Sequence, residues 1–185
     1  PDKESVNLKA TIHLELHQID DVERTFREYE SFISGDPESL RIQSLVARSK
    51  GDFPLAEKLV GEASVLKPDW TGIKIARALL LFESALAPAI RSGSLAFHTE
   101  VIDWAFINRD DESTQSIREA HCIFDELMGR EDRANPDLHA YLECCKLACL
   151  GCDFERQAEA EAYCVSILER SPDHTLAILW ALGRG

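Results

Sequence analysis

Methionine is almost absent from the 185 residues: Met128 stands alone, and position 1 is proline. The chain therefore reads as an excised segment or a processed chain. No apolar run approaches the roughly 20 residues that a membrane-spanning helix needs. Pro1 to Lys9 lack the apolar stretch of an export signal, so a cytoplasmic setting with no membrane contact is expected. Basic residues are scarce as well, 20 against 33 acidic ones, for a formal charge of −13. A field of that sign repels phosphate backbones and argues against nucleic acid as a partner. No sustained two-residue alternation and no Asn-Gly or Asp-Gly hairpin occurs, which leaves a β-sheet without its usual signals. A glycine-rich phosphate loop and a Gly-x-Ser-x-Gly elbow are also missing. Nothing here designates a catalytic residue or a cofactor, and the chain is not expected to be an enzyme.

What is present is helical periodicity, with apolar residues recurring every three or four positions. Leu8, Ile12, Leu16 and Ile19 share one face of a first helix. Val22, Phe26, Tyr29 or Phe32, and Ile33 continue on a second. Ser34-Gly35-Asp36-Pro37 then stops one helix and starts the next: glycine accepts the left-handed cap and proline fits a first turn. Leu40, Leu45, Val46 and Ala47 stripe that helix as far as Lys50-Gly51-Asp52. Phe53, Ala56, Leu59, Val60, Ala63 and Leu66 stripe its successor, which ends at Lys67-Pro68-Asp69. A further helix is expected from about Thr71 to Ala87, kinked or ended by Pro88. An apolar stretch runs from Leu95 to Asn108, and helices are expected over Thr114 to Met128, Pro136 to Leu150, Phe154 to Arg170 and Thr175 to Leu182. Connectors of a few residues force neighbouring helices to lie antiparallel.

Two stretches overlay. Asp52-Phe53 is followed by Ala56, Val60, Ala63 and Pro68; Asp153-Phe154 is followed, after a small insertion, by Ala160, Cys164, Ile167 and Pro172. Ala56 to Pro68 and Ala160 to Pro172 both span 12 residues. Pro37-Glu38 also stands 31 residues ahead of Pro68-Asp69, close to the period of a helix-pair repeat. On these residues the segment 37–69 resembles a tetratricopeptide repeat, with Ala56, Ala63 and Pro68 at the small, small and proline positions of its second helix. Leu40, Gln43, Ser44 and Ala47 replace the Trp-Leu-Gly-Tyr features of its first helix. The stretch 136–173 is similar, through Ala148, Ala160 and Pro172. The part before Pro37 reads as a degenerate copy with Thr25 and Phe32 at small positions, and 70–135 departs most. The resemblance implies one all-α domain over 1–185, a right-handed α-α superhelix of antiparallel helix pairs with about 9–10 helices.

Six cysteines occur, five of them among the last 42 residues. Cys145, Cys149 and Cys152 have the spacing of the triplet that holds the iron-sulfur cluster of radical S-adenosylmethionine enzymes. That triplet sits on a loop after a strand, whereas here it falls on a helix, so buried structural thiols are the expectation and a metalloenzyme the minor alternative. His13 and His17 have the four-residue spacing of zinc ligands but no third partner, so packed or surface histidines are expected. Cys122 follows His121, yet adjacent helical residues diverge by about 100° and share a proton badly.

The resemblance implies a scaffold that binds a peptide or helix of a partner protein in the concave groove of stacked helix pairs. Exposed first-helix residues such as Gln43, Arg48, Lys74, Arg77 and Lys146 are the candidate partner-binding set. They do not match the basic clamp that the family uses for chaperone tails. The rival reading is a structural or oligomerisation spacer within a larger protein, self-associating through the apolar terminal segment Leu176 to Leu182.

Overall fold

The computed structural model describes residues 2–91, 111–130, 135–174 and 177. Among them the regular elements are all helical: α1 (Lys3–Glu15), α2 (Ile19–Glu28), α3 (Glu30–Ile33), α4 (Pro37–Ser49), α5 (Phe53–Leu66), α6 (Thr71–Arg91), α7 (Asp111–Arg130), α8 (Pro136–Cys152), a 3-10 turn (Phe154–Arg156) and α9 (Gln157–Arg170). The expected stretch Leu95 to Asn108 and most of the terminal segment Leu176 to Leu182 lie outside the described residues.

Local chemistry explains where the helices begin. Asp2, Asp36, Asp52 and Asn135 each turn a side-chain oxygen onto the amide three residues on, at Ser5, Ser39, Leu55 and Leu138. Such a cap satisfies one orphan amide of the first turn and contributes about 1 kcal/mol. In the last three of these helices a proline occupies the first turn, where its missing N–H costs nothing. Helix ends follow the same logic: Gly35 and Gly51 take φ of 69° and 76°, the left-handed conformation that a side chain resists.

The chain divides into two compact units, Pro1–Leu80 and Leu81–Gly185. In the first, α4 is buried on two sides. Ile42 and Val46 join Val6, Ala10, Val22, Phe26 and Ile33 in one cluster. Leu40 and Ala47 join Ala56, Val60, Ala63, Ile73, Ala76 and Leu80 in another. Neither cluster closes without α4, which is the physical reason that helix pairs pile up rather than stand alone. A polar tie backs the first cluster. Ser39 donates to Asn7 Oδ1 at 2.7 Å, and Asn7 donates to Asp36 at 2.8 Å. Burial raises the Asp36 pKa, but bonds from Ser39 and Asn7 outweigh it and hold the carboxyl below its ordinary value.

In the second unit α8 packs against both α7 and α9. Ile117, Ala120, Phe124 and Leu127 are buried along α7 at helical spacing. Leu147 and Leu150 of α8 meet Ala160, Cys164 and Ile167 of α9, with Ala177 closing the cluster. α5 and α9 correspond closely. Each has 14 residues, and their C-caps Lys67 and Ser171 have φ, ψ of −143°, 75° and −141°, 81°. Ala56, Val60 and Ala63 are buried in one, Ala160, Cys164 and Ile167 in the other. The insertion ahead of Ala160 is absorbed by the 3-10 turn, so α9 begins at Gln157 rather than at Phe154.

Several expectations need correction. Leu8, Ile12 and Leu16 are 62%, 51% and 60% exposed, and α1 instead buries Val6, Asn7 and Ala10. Burial is decided by what a helix meets, and the Asn7 bonds to Ser39 and Asp36 fix the other face inward. The second expected helix is broken at Tyr29 into α2 and α3. Pro88 does not end α6, which continues to Arg91. His17 is not on α1 at all: it follows the helix end with φ of 56°, so its helical spacing from His13 is lost.

Candidate interaction groove

Where α2, α4 and α5 meet, the first unit carries a groove of about 610 Å³. Phe26, Val46, Ala47, Leu55 and Leu59 give it an apolar lining, and Glu23, Arg27, Gln43, Lys50 and Asp52 supply the polar groups. α5 explains the lining. Its core stripe of Ala56, Val60 and Ala63 leaves Leu55 and Leu59 to one side, and Leu55 stays 43% exposed. The polar groups differ in how far they are engaged. Lys50 pairs with Glu23, and Asp52 caps the amide of Leu55 at 3.2 Å. Arg27 makes one long bond, from Nε to the Glu23 carbonyl at 3.4 Å, and pairs with no carboxylate among the described residues. The Gln43 amide, half-buried, has no hydrogen-bond partner among them either.

Of the five residues singled out from the sequence, Gln43 lines this groove. Arg48 stands half-buried on the same helix. Lys74 is 3.5 Å from Asp69 with its side chain only 17% exposed, and Arg77 is exposed on α6. Lys146 belongs to the second unit, where it pairs with Asp125 and sits 4.8 Å over the Tyr163 ring. The geometry thus does not gather the five into one surface. Arg27, Leu55 and Leu59 went unnamed in sequence. Their trace there is a second apolar row on α5, more than one buried face requires.

The second unit holds its own polar cluster. Asp153, 2% exposed, receives Arg118 Nε at 2.6 Å and Nη2 at 3.2 Å and also accepts the Glu155 amide at 3.1 Å. Burial raises the Asp153 carboxyl, but the Arg118 bonds and charge outweigh it and hold the group below its ordinary value. His121 is buried on α7; Arg156 donates to its Nδ1 at 3.2 Å, and its Nε2 is buried without a partner. Around it stand Asp125 of α7, Lys146 of α8, Arg156 at the end of the 3-10 turn and Glu159 of α9. Burial first, then the charges of Arg156 and Lys146, depress its pKa below the ordinary 6.5. Such a group stabilises the fold above the unfolded pKa and loses that contribution as pH falls through the folded one. Urea melts should therefore show the second unit weakening below about pH 6.5, at a slope of up to ~1.4 kcal/mol per pH unit. His121→Asn, which keeps an acceptor for Arg156, should flatten that slope; an unchanged slope would remove His121 as its source.

The cysteine triplet divides on α8. Cys149 and Cys152 are buried and Cys145 is half-buried, and all six cysteines are free. Burial pushes the Cys149 and Cys152 thiols far above their ordinary range, which disfavours the thiolates a cluster needs. Among the described residues no three His, Cys, Asp or Glu side chains are grouped to hold a metal ion. One pairing was not visible in sequence: Cys144 Sγ lies 3.6 Å from His174 Nε2, while the Ala177 amide donates to His174 Nδ1 at 3.3 Å. Its cause is the return of the chain after α9, which no local spacing encodes.

The fold and groove define an all-α protein of packed adjacent helix pairs with an open cleft on its first unit. No protein-family model, characterised protein or solved structure matches the chain. Among the described residues no helix is long and apolar enough to cross a membrane.

Proposed function

We propose that the chain is a protein-protein interaction scaffold, a tetratricopeptide-like stack of helix pairs that takes a segment of a partner protein in the groove between α2, α4 and α5. One observation carries the reading. An apolar cleft is lined by a Gln43 amide and an Arg27 guanidinium that the fold does not use. Binding sites combine apolar area with a few polar groups that fix orientation. The equivalent endings of α5 and α9 support the repeat register, and their buried small residues support close pairing. A pull-down from native extract tests it. Leu55→Glu, inside the groove, should cut capture of the partner at least tenfold. Val65→Glu, at a position 84% exposed and outside the groove, should not. Equal capture by both variants would contradict the proposal.

A second reading, the oligomerisation spacer, draws on the exposed row Leu8, Ile12 and Leu16 of α1. Apolar rows of that kind mark association surfaces more often than free ones. Gel filtration of a Leu8→Lys, Ile12→Lys, Leu16→Lys variant beside the native chain decides it: an unchanged elution volume rules the spacer out.

A further inference from the structure

The groove's own chemistry narrows what fits it, and the following rests on the scaffold reading above. We infer that its occupant is a short amphipathic segment of a partner protein that sets aliphatic side chains three or four residues apart beside one carboxylate.

The aliphatic part follows from the lining. Phe26, Val46, Leu55 and Leu59 offer no hydrogen-bonding side chain, so only apolar groups gain there. A volume of about 610 Å³ also falls inside the range of roughly 300–1,000 Å³ typical of binding clefts. Aliphatic residues at helical spacing present one continuous row to such a cleft.

The carboxylate follows from an imbalance of charge. Glu23 is taken by Lys50, and the Asp52 carboxylate is turned onto the α5 amide. Arg27 is left as the lining charge with no opposite partner among the described residues. An anionic side chain beside it makes a charge-assisted pair, which a neutral or basic one does not. The chain as a whole is strongly acidic at −13. Charges further away than about 8 Å are largely screened at physiological salt, so Arg27 decides locally while the overall field disfavours a long acidic tract. One carboxylate in an otherwise apolar face satisfies both conditions. Gln43, with a donor and an acceptor unspent, is placed to meet the backbone or a polar residue of the same segment.

Selection of a displayed library of random 15-residue peptides against the purified full chain tests this, followed by fluorescence anisotropy on synthetic copies of the winners. The winners should share aliphatic residues three or four apart and one Asp or Glu. Arg27→Glu should weaken them about tenfold, and changing their acid to lysine should reverse the preference between the native chain and Arg27→Glu. Leu55→Glu should abolish binding of all of them. Winners that need Leu55 but show no preference for an acid, or for Arg27, overturn the inference and leave the groove reading standing. Winners indifferent to Leu55→Glu overturn both, and a selection without binders overturns the inference.

Discussion

Replacing Ala56 with glutamate should lower the melting temperature of the first unit by about 20 °C. The expectation follows from position alone. Ala56 is 1% exposed and packs with Leu40, Ala47, Val60, Ala63, Ile73 and Ala76. Overfilling a packed core costs about 1–3 kcal/mol, and burying a carboxylate without a partner adds several more before the structure relaxes. A net loss of about 4 kcal/mol is a conservative sum, and in a unit of this size each kcal/mol moves the midpoint by about 4–8 °C. Lys58→Glu, two residues away and exposed, serves as the control and should stay within about 0.5 kcal/mol. Thermal melts followed by circular dichroism would show both. A shift under about 5 °C for Ala56→Glu would mean that α5 does not turn this face to α4.

In the second unit the largest effect of a polar substitution should come from Asp153→Ala, a loss of about 3 kcal/mol in urea unfolding. Two contributions combine. The side chain caps the 3-10 turn at the Glu155 amide, an interaction whose removal costs about 1 kcal/mol. It also accepts two bonds from Arg118, and hydrogen bonds to charged groups contribute about 1.5–3 kcal/mol. Arg118 keeps its 2.6 Å contact with Glu155, so the loss is bounded. Asp153→Asn should retain the cap and fall between. An Asp153→Ala protein with native urea stability would show that the Arg118 pair adds nothing to this unit.

The elements were legible in the sequence because local rules set them. Asp36-Pro37, Asp52-Phe53-Pro54 and Asn135-Pro136 announce helix starts, and the structure begins α4, α5 and α8 there. Spacing of Ala56, Val60 and Ala63 likewise gave the buried face of α5. Periodicity failed on α1, since it sorts residues by hydrophobicity and not by neighbour. The row Leu8, Ile12 and Leu16 is the more apolar face, yet Asn7 turns inward because Ser39 and Asp36, some 30 residues away, satisfy it. The groove was half legible. Gln43 stood out as a polar residue on a first helix, but Arg27 and Leu55 reach the same cleft from α2 and α5 through packing between pairs. Pairing of that kind is non-local, and no window of sequence contains it.

Native-state hydrogen exchange tests the central claim most directly, because the stack depends on α4 being enclosed from two sides. The amides from Ile42 to Ala47 should be the slowest in the first unit and should exchange only when that unit opens as a whole. Those of α1, covered on one face alone, should exchange by smaller openings. Should α4 exchange as fast as α1, the helix pairs would not be held together through it, and the groove they frame would lose its support.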